Sequence, residues 1–125
     1  MGDRLIKISN FNTKLNSSIG TSFKAFAVYR SKGLLTHLIK RKHFSAAKYI
    51  DSLSEIITEP DYAGYTEGTL ELVKSFKDNI FISIKLDKKN TKYYVATMFS
   101  ISMGKLQSYL TSGRLRTIEK TQKNP

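Results

Sequence analysis

The sequence predicts an α+β domain: N-terminal helices packed on one face of a small antiparallel β-sheet, a meander, with a short C-terminal helix. Three observations predict it. Apolar residues recur at helical spacing between residues 32 and 58. The period changes to two between 69 and 100, and the connections between those later runs are short and polar, as in consecutive antiparallel strands.

Residues 1–30 form the least defined part, with apolar positions scattered among Asn, Ser and Gly, although "FKAFAVY" (23–29) alternates enough for a short strand. Ser31 suits a helix N-cap, and Leu34, Leu35, Leu38 and Ile39 follow it as a helical stripe, which predicts a helix over 32–42. Ala47, Ile50, Leu53, Ile56 and Ile57 predict a second helix over 46–58, ended by Pro60 and a turn over 60–65. "TLELVKSF" (69–76), "NIFISIKL" (79–86) and "KYYVATMFS" (92–100) read as three strands, separated at Asp78-Asn79 and by "DKKNT" (87–91). In the middle one Ile80, Ile82, Ile84 and Leu86 share a face, and Phe81, Ser83 and Lys85 share the other. A last helix over 102–111 carries Met103, Leu106 and Leu110. "SGRLR" (112–116) and a basic tail over 117–125 complete the chain.

A length of 125 residues fits a single domain, 1–125, able to bury a core without staples. No cysteine is present, so disulfides and thiolate metal sites are excluded, and with two histidines a zinc site is not expected. No apolar run is long enough to cross a bilayer, and Met1-Gly2-Asp3-Arg4 does not begin a secretory signal. The net charge of +11 favours a polyanionic partner, nucleic acid before an anionic membrane or an acidic protein.

Chemistry-bearing residues gather in two places. "THLIKRKHF" (36–44) holds both histidines and the cations Lys40, Arg41 and Lys42. His37 and Arg41 lie one helical turn apart, whereas His43 lies about 240° around the axis from His37. The two imidazoles converge only if the helix ends near Lys42; otherwise the run is a solvated face. On the strands, Glu71, Ser83, Lys85 and Thr97 are out of place in a core but suit an open platform for a ligand. Glu71 and Lys85 also suit a plain cross-strand ion pair. Tyr93, Tyr94 and Phe99 interleave with Lys92, a pattern that can stack unpaired bases and grip phosphate. Arg114 and Arg116 follow Gly113, where a loop arginine can hold phosphate bidentately. No glycine-rich phosphate loop, zinc-protease motif or nucleophile elbow occurs.

Taken in order, "GLLTHLIKRKH", "IITEPDYAGY", "LELVKSF", "IFISIKLDKKN", "YYVATMF" and "SGRL" give residues 33–116 a resemblance. The chain is similar to phage-associated nuclease-like domains of the barnase/EndoU/colicin/RelE-like superfamily. That resemblance implies a helical N-terminal part on an antiparallel sheet and a metal-independent endoribonuclease, with tRNA among the candidate substrates. It also implies a toxin or phage effector acting in the cytoplasm, delivered within a larger phage or secreted protein and matched by an immunity protein or acidic inhibitor. No cofactor and no membrane partner are implied. The positions carried over as catalytic are His37, Arg41, His43, Glu71, Thr97 and Arg114. Lys85 is carried over with them, and the residues read as RNA contacts are Lys40, Lys42, Lys85, Tyr93 and Arg116. One departure is Lys42, which separates Arg41 from His43 where such domains more often have a compact Lys-Arg-His. The alternative on the same scaffold is a non-catalytic module binding RNA or an acidic protein, or an inhibitor.

Overall fold

The computed structural model describes residues 5–87, 89 and 91–119; the start over 1–4, Lys88 and Asn90 of the expected 87–91 turn, and the tail from 120 lie outside the described residues. Seven strands form one sheet: β1 (Leu5–Asn10), β2 (Ala27–Ser31), β3 (Tyr62–Thr66), β4 (Thr69–Ser75), β5 (Asn79–Asp87), β6 (Lys92–Ile101) and β7 (Arg116–Thr117). Their spatial order is β1-β2-β6-β5-β4-β3-β7. The helices are α1 (Asn16–Ile19), α2 (Leu34–Lys40), α3 (Phe44–Ala47), α4 (Leu53–Thr58) and α5 (Met103–Ser112).

The expected meander is present as β3–β4–β5–β6, each pair antiparallel. The sheet as a whole is mixed, which corrects the all-antiparallel expectation: β2 joins β6 in parallel at Val28↔Tyr93 and Tyr29↔Tyr94. That pairing is non-local, so no periodicity along the chain announces it. The expected turn at 60–65 is largely strand β3. The real turn is one step later, where Glu67 and Gly68 at φ 48° and 82° close a two-residue hairpin whose twist matches its strands. The expected helix 46–58 breaks into α3, a 3-10 turn at Ile50–Ser52 and α4. Ser31 ends β2, and its hydroxyl accepts from the Gly33 N–H at 3.0 Å, so α2 starts three residues after it.

Each sheet face has its own cover. Ile80, Ile82 and Ile84 of β5 and Leu70 and Leu72 of β4 pack under Leu34 and Leu38 of α2 and under Leu53, Ile56 and Ile57 of α4. On the opposite face, Leu106 of α5 packs with Val73, Phe81 and Leu115. Ser102 caps α5 by accepting from the Lys105 N–H at 3.1 Å. The short α5 covers that face only in part, and a cleft opens beside it.

Candidate active site

A β-bulge aims the strand residues into this cleft. Ser83 pairs with Thr97 but Ile84 pairs with Val95, so Ala96 is the extra residue on β6. Before the bulge Tyr93 and Val95 face the helix-side core; after it Thr97 and Phe99 point the other way. The phase change relocates Tyr93, expected as an RNA contact. It is 3 % exposed in the core and donates its hydroxyl to the Lys24 carbonyl oxygen at 3.0 Å. Burial raises the Tyr93 pKa above the ordinary phenol value.

The cleft, about 540 Å³, is lined by Glu71, Ser83, Lys85, Thr97 and Arg114, with Phe81 and Phe99 beside them and Thr66, Glu67 and Thr69 at its rim. Glu71 is 6 % exposed, and a buried carboxylate persists only with a partner. Arg114 supplies it: Nε donates to Oε1 at 2.8 Å and Nη2 to Oε2 at 2.7 Å. The ion pair of Glu71 is thus with Arg114 rather than with Lys85, which stands opposite Thr69. The Ser83 and Thr97 hydroxyls share a hydrogen bond of 2.7 Å. Ser83 completes the constellation, and its signal in the sequence was the period-two phase that sets it beside Lys85.

Arg114 is held by the C-terminal helix. Gly113, at φ 84°, ends α5 in the left-handed conformation and turns the chain back over the sheet. The guanidinium carbon then lies 4.1 Å from the Tyr109 ring centroid and 5.9 Å from that of Phe81, within cation–π range of both. Beneath, Gly64 of β3 has no room for a side chain, because a Cβ there would collide with the Arg114 carbonyl oxygen. Hydrogen bonding to Glu71 raises the Arg114 pKa further, so the group stays a cation. Its Nε–Nη2 edge faces Glu71, while the other edge of the same planar group faces away from that carboxylate.

The histidine-bearing segment sits differently. α2 ends as expected near Lys42, which adopts φ 61°. Lys42 N–H donates to the Ile39 carbonyl at 3.0 Å and His43 N–H to the Leu38 carbonyl at 2.8 Å, the paired bonds of a Schellman turn. Lys40, Arg41 and His37 are exposed, on a helix that packs through Leu34 and Leu38 against the face opposite the cleft. His37 is therefore not gathered with Thr97 and Arg114. His43 is carried by the turn to the side of β6 that β2 leaves unpaired below Tyr94, and its ring lies 6.4 Å from that of Phe99. Arg116 faces away from the cleft, its Nη1 donating to the Ser18 carbonyl oxygen at 3.4 Å. A second cavity of about 690 Å³ by Asn12, Ser17, Thr58 and Pro60 includes none of the candidate residues. Among the described residues, no helix is long and apolar enough to cross a membrane.

The family model described as phage-Barnase-EndoU-ColicinE5/D-RelE like nuclease3 matches residues 6–108. The matched stretch contains His37 to His43, Glu71, Ser83, Lys85 and Thr97, and stops short of Arg114. No curated protein and no solved structure matches the chain.

Proposed function

The chain belongs to the phage-Barnase-EndoU-ColicinE5/D-RelE like nuclease family, and from that premise we propose that it is a metal-independent endoribonuclease working in the Glu71–Arg114 cleft. One observation carries the reading: a buried carboxylate, held by a two-pronged guanidinium, at the bottom of a cleft that also presents an ammonium and paired hydroxyls. Cleavage of RNA through its own 2′-OH needs a base, an acid and cations around the phosphorus.

In this reading Glu71 takes the 2′-OH proton and the 2′-oxygen attacks the adjacent phosphorus. The bond from phosphorus to the 5′-oxygen breaks, leaving a 2′,3′-cyclic phosphate and a 5′-hydroxyl. Arg114, through the edge turned away from Glu71, and Lys85 stabilise the charge on the non-bridging oxygens. The Thr97 hydroxyl, oriented by Ser83, fixes the phosphate. His43, the imidazole in contact with a cleft-lining ring, protonates the leaving 5′-oxygen. His37 and Arg41, exposed on the helix side of the sheet, have no role in this reading. A toxin or phage-effector role, with an acidic immunity protein as partner, fits the chain's net charge of +11.

Total RNA incubated with the purified protein in EDTA tests this. The expected result is discrete fragments ending in 2′,3′-cyclic phosphate, with Glu71→Gln slower by about a hundredfold or more. His43→Ala is expected to slow cleavage by about a hundredfold or more. If Glu71→Gln cuts as fast as wild type, the cleft is not the active site. If RNA is bound but never cut, the chain is a binding module.

A further inference from the structure

The sheet register extends the cleft, through Lys85, into a row of side chains that the catalytic reading otherwise leaves unused. Thr66 stands opposite Thr69, Thr69 opposite Lys85, Lys85 opposite Tyr94, Tyr94 opposite Tyr29, and Tyr29 opposite Lys7. Directly opposed residues project from the same face of a sheet. The row therefore runs from the cleft rim on β3 across five further strands to the sheet edge at β1. Its outer part sets two adjacent aromatic rings between two cations: Lys85, Tyr94 and Tyr29, Lys7. Lys92, two residues before Tyr94 and so on the same face, holds its ammonium 5.5 Å from the Tyr29 ring centroid.

Tyr94 is 37 % exposed, unusual for a large ring near the middle of a sheet, and Tyr29 is half-buried beside it. α5 stops over Val73, Phe81 and Phe99 and does not belong to this row. Strands lie about 4.8 Å apart, so Tyr94 and Tyr29 stand roughly 5 and 10 Å beyond Lys85, within reach of nucleotides next to one held in the cleft.

We propose that Tyr94 and Tyr29, flanked by Lys85, Lys92 and Lys7, form a stacking track that binds unpaired RNA leading out of the cleft toward β1. Charge complementarity selects a polyanion, and the exposed rings select one whose bases are free to stack. A duplex keeps its bases stacked inside and offers the rings nothing. The identity of the polymer rests on the ribonuclease reading above; the track itself is a separate statement about binding.

The test uses 2′-O-methyl oligouridines of increasing length, which 2′-OH chemistry cannot cut, with affinity read by fluorescence anisotropy. Wild-type affinity is expected to climb with length until the track is filled, then level off. Tyr29→Ala with Tyr94→Ala is expected to lose about tenfold per ring on the longer probes, and Tyr→Phe at both positions to restore most of it. Lys7→Glu, a change at an exposed edge residue, weakens the longer probes even if the alanine pair folds poorly. Equal length dependence in wild type, the alanine pair and Lys7→Glu overturns the track, as does displacement of the probe by duplex RNA as readily as by unlabelled oligouridine. Cleavage of unmodified RNA with no length-dependent binding sinks the track alone. Length-dependent binding without cleavage supports the track and removes only the ribonuclease reading.

Discussion

In the proposed mechanism Arg114 does two jobs with two edges of one planar group, and lysine cannot do both. A lysine keeps the charge but presents a point, so it cannot hold both Glu71 oxygens and also face a phosphate. Arg114→Lys is expected to cut RNA about a hundredfold more slowly under single-turnover conditions, comparable with loss of one preorganised donor. A rate within a few-fold of wild type would mean that charge alone matters there. Tyr93 gives a second, purely structural expectation. Its phenol is buried, its folded pKa lies above the ordinary value, and only the neutral form can donate to the Lys24 carbonyl. A folded pKa raised above the unfolded one means that the stabilisation is complete below the unfolded phenol value, near 10, and fades as pH rises beyond it. Tyr93→Phe is expected to lose about 1 kcal/mol at neutral pH, from the missing hydrogen bond. Urea midpoints compared at pH of about 8 and about 10.5 should fall further for wild type than for Tyr93→Phe.

Elements decide where these residues stand, and the contact between Gly64 of β3 and the segment after α5 is the least forgiving. Because a Cβ at Gly64 meets backbone rather than a side chain tip, Gly64→Ala has to displace the Arg114 main chain and with it the guanidinium. The expected cost is about 1–3 kcal/mol, the range for overpacking, together with a fall in cleavage rate larger than stability explains. A thermal melt beside a rate measurement separates the two; unchanged activity would show that the Arg114 seat is not tight. Much of this level was legible in the sequence. Period-two runs delivered the four-strand meander less β3, and the end of α2 near Lys42 followed from spacing, even though lysine is an unusual residue for a left-handed turn. Glu71, Lys85, Thr97 and Arg114 were recognisable as polar residues in apolar runs or beside a glycine, and they share one cleft. What stayed hidden is non-local. The β2–β6 pairing joins distant segments, and the bulge at Ala96 shows its effect only once β5 fixes the register. That bulge is also why Tyr93, read as an RNA contact, lies in the core while Tyr94 is exposed. Packing on the helix-side core, equally non-local, separates His37 from the residues it was expected to meet.

Across the whole molecule, the excess of eleven positive charges has two possible consequences, and salt dependence distinguishes them. If cations act wherever they happen to lie, binding engages Lys40, Arg41 and Lys42 on the helix side as readily as the sheet face, and many counterions leave together. If binding follows the cleft and the row beside it, the participants are Arg114, Lys85, Lys92 and Lys7. For single strands each phosphate neutralised contributes about −0.7 to the slope of log affinity against log salt, so about four contacts give a slope near −3. Between roughly 50 and 200 mM salt the affinity for unpaired RNA should then fall about fiftyfold. Lys7→Glu should make the slope shallower by about one contact's worth, because its phosphate is no longer neutralised, whereas Lys40→Glu should leave the slope alone. A slope two or three times steeper, shared equally by these two variants, would mean that the protein binds RNA as a diffuse polycation and that the ordered row on the sheet does not direct it.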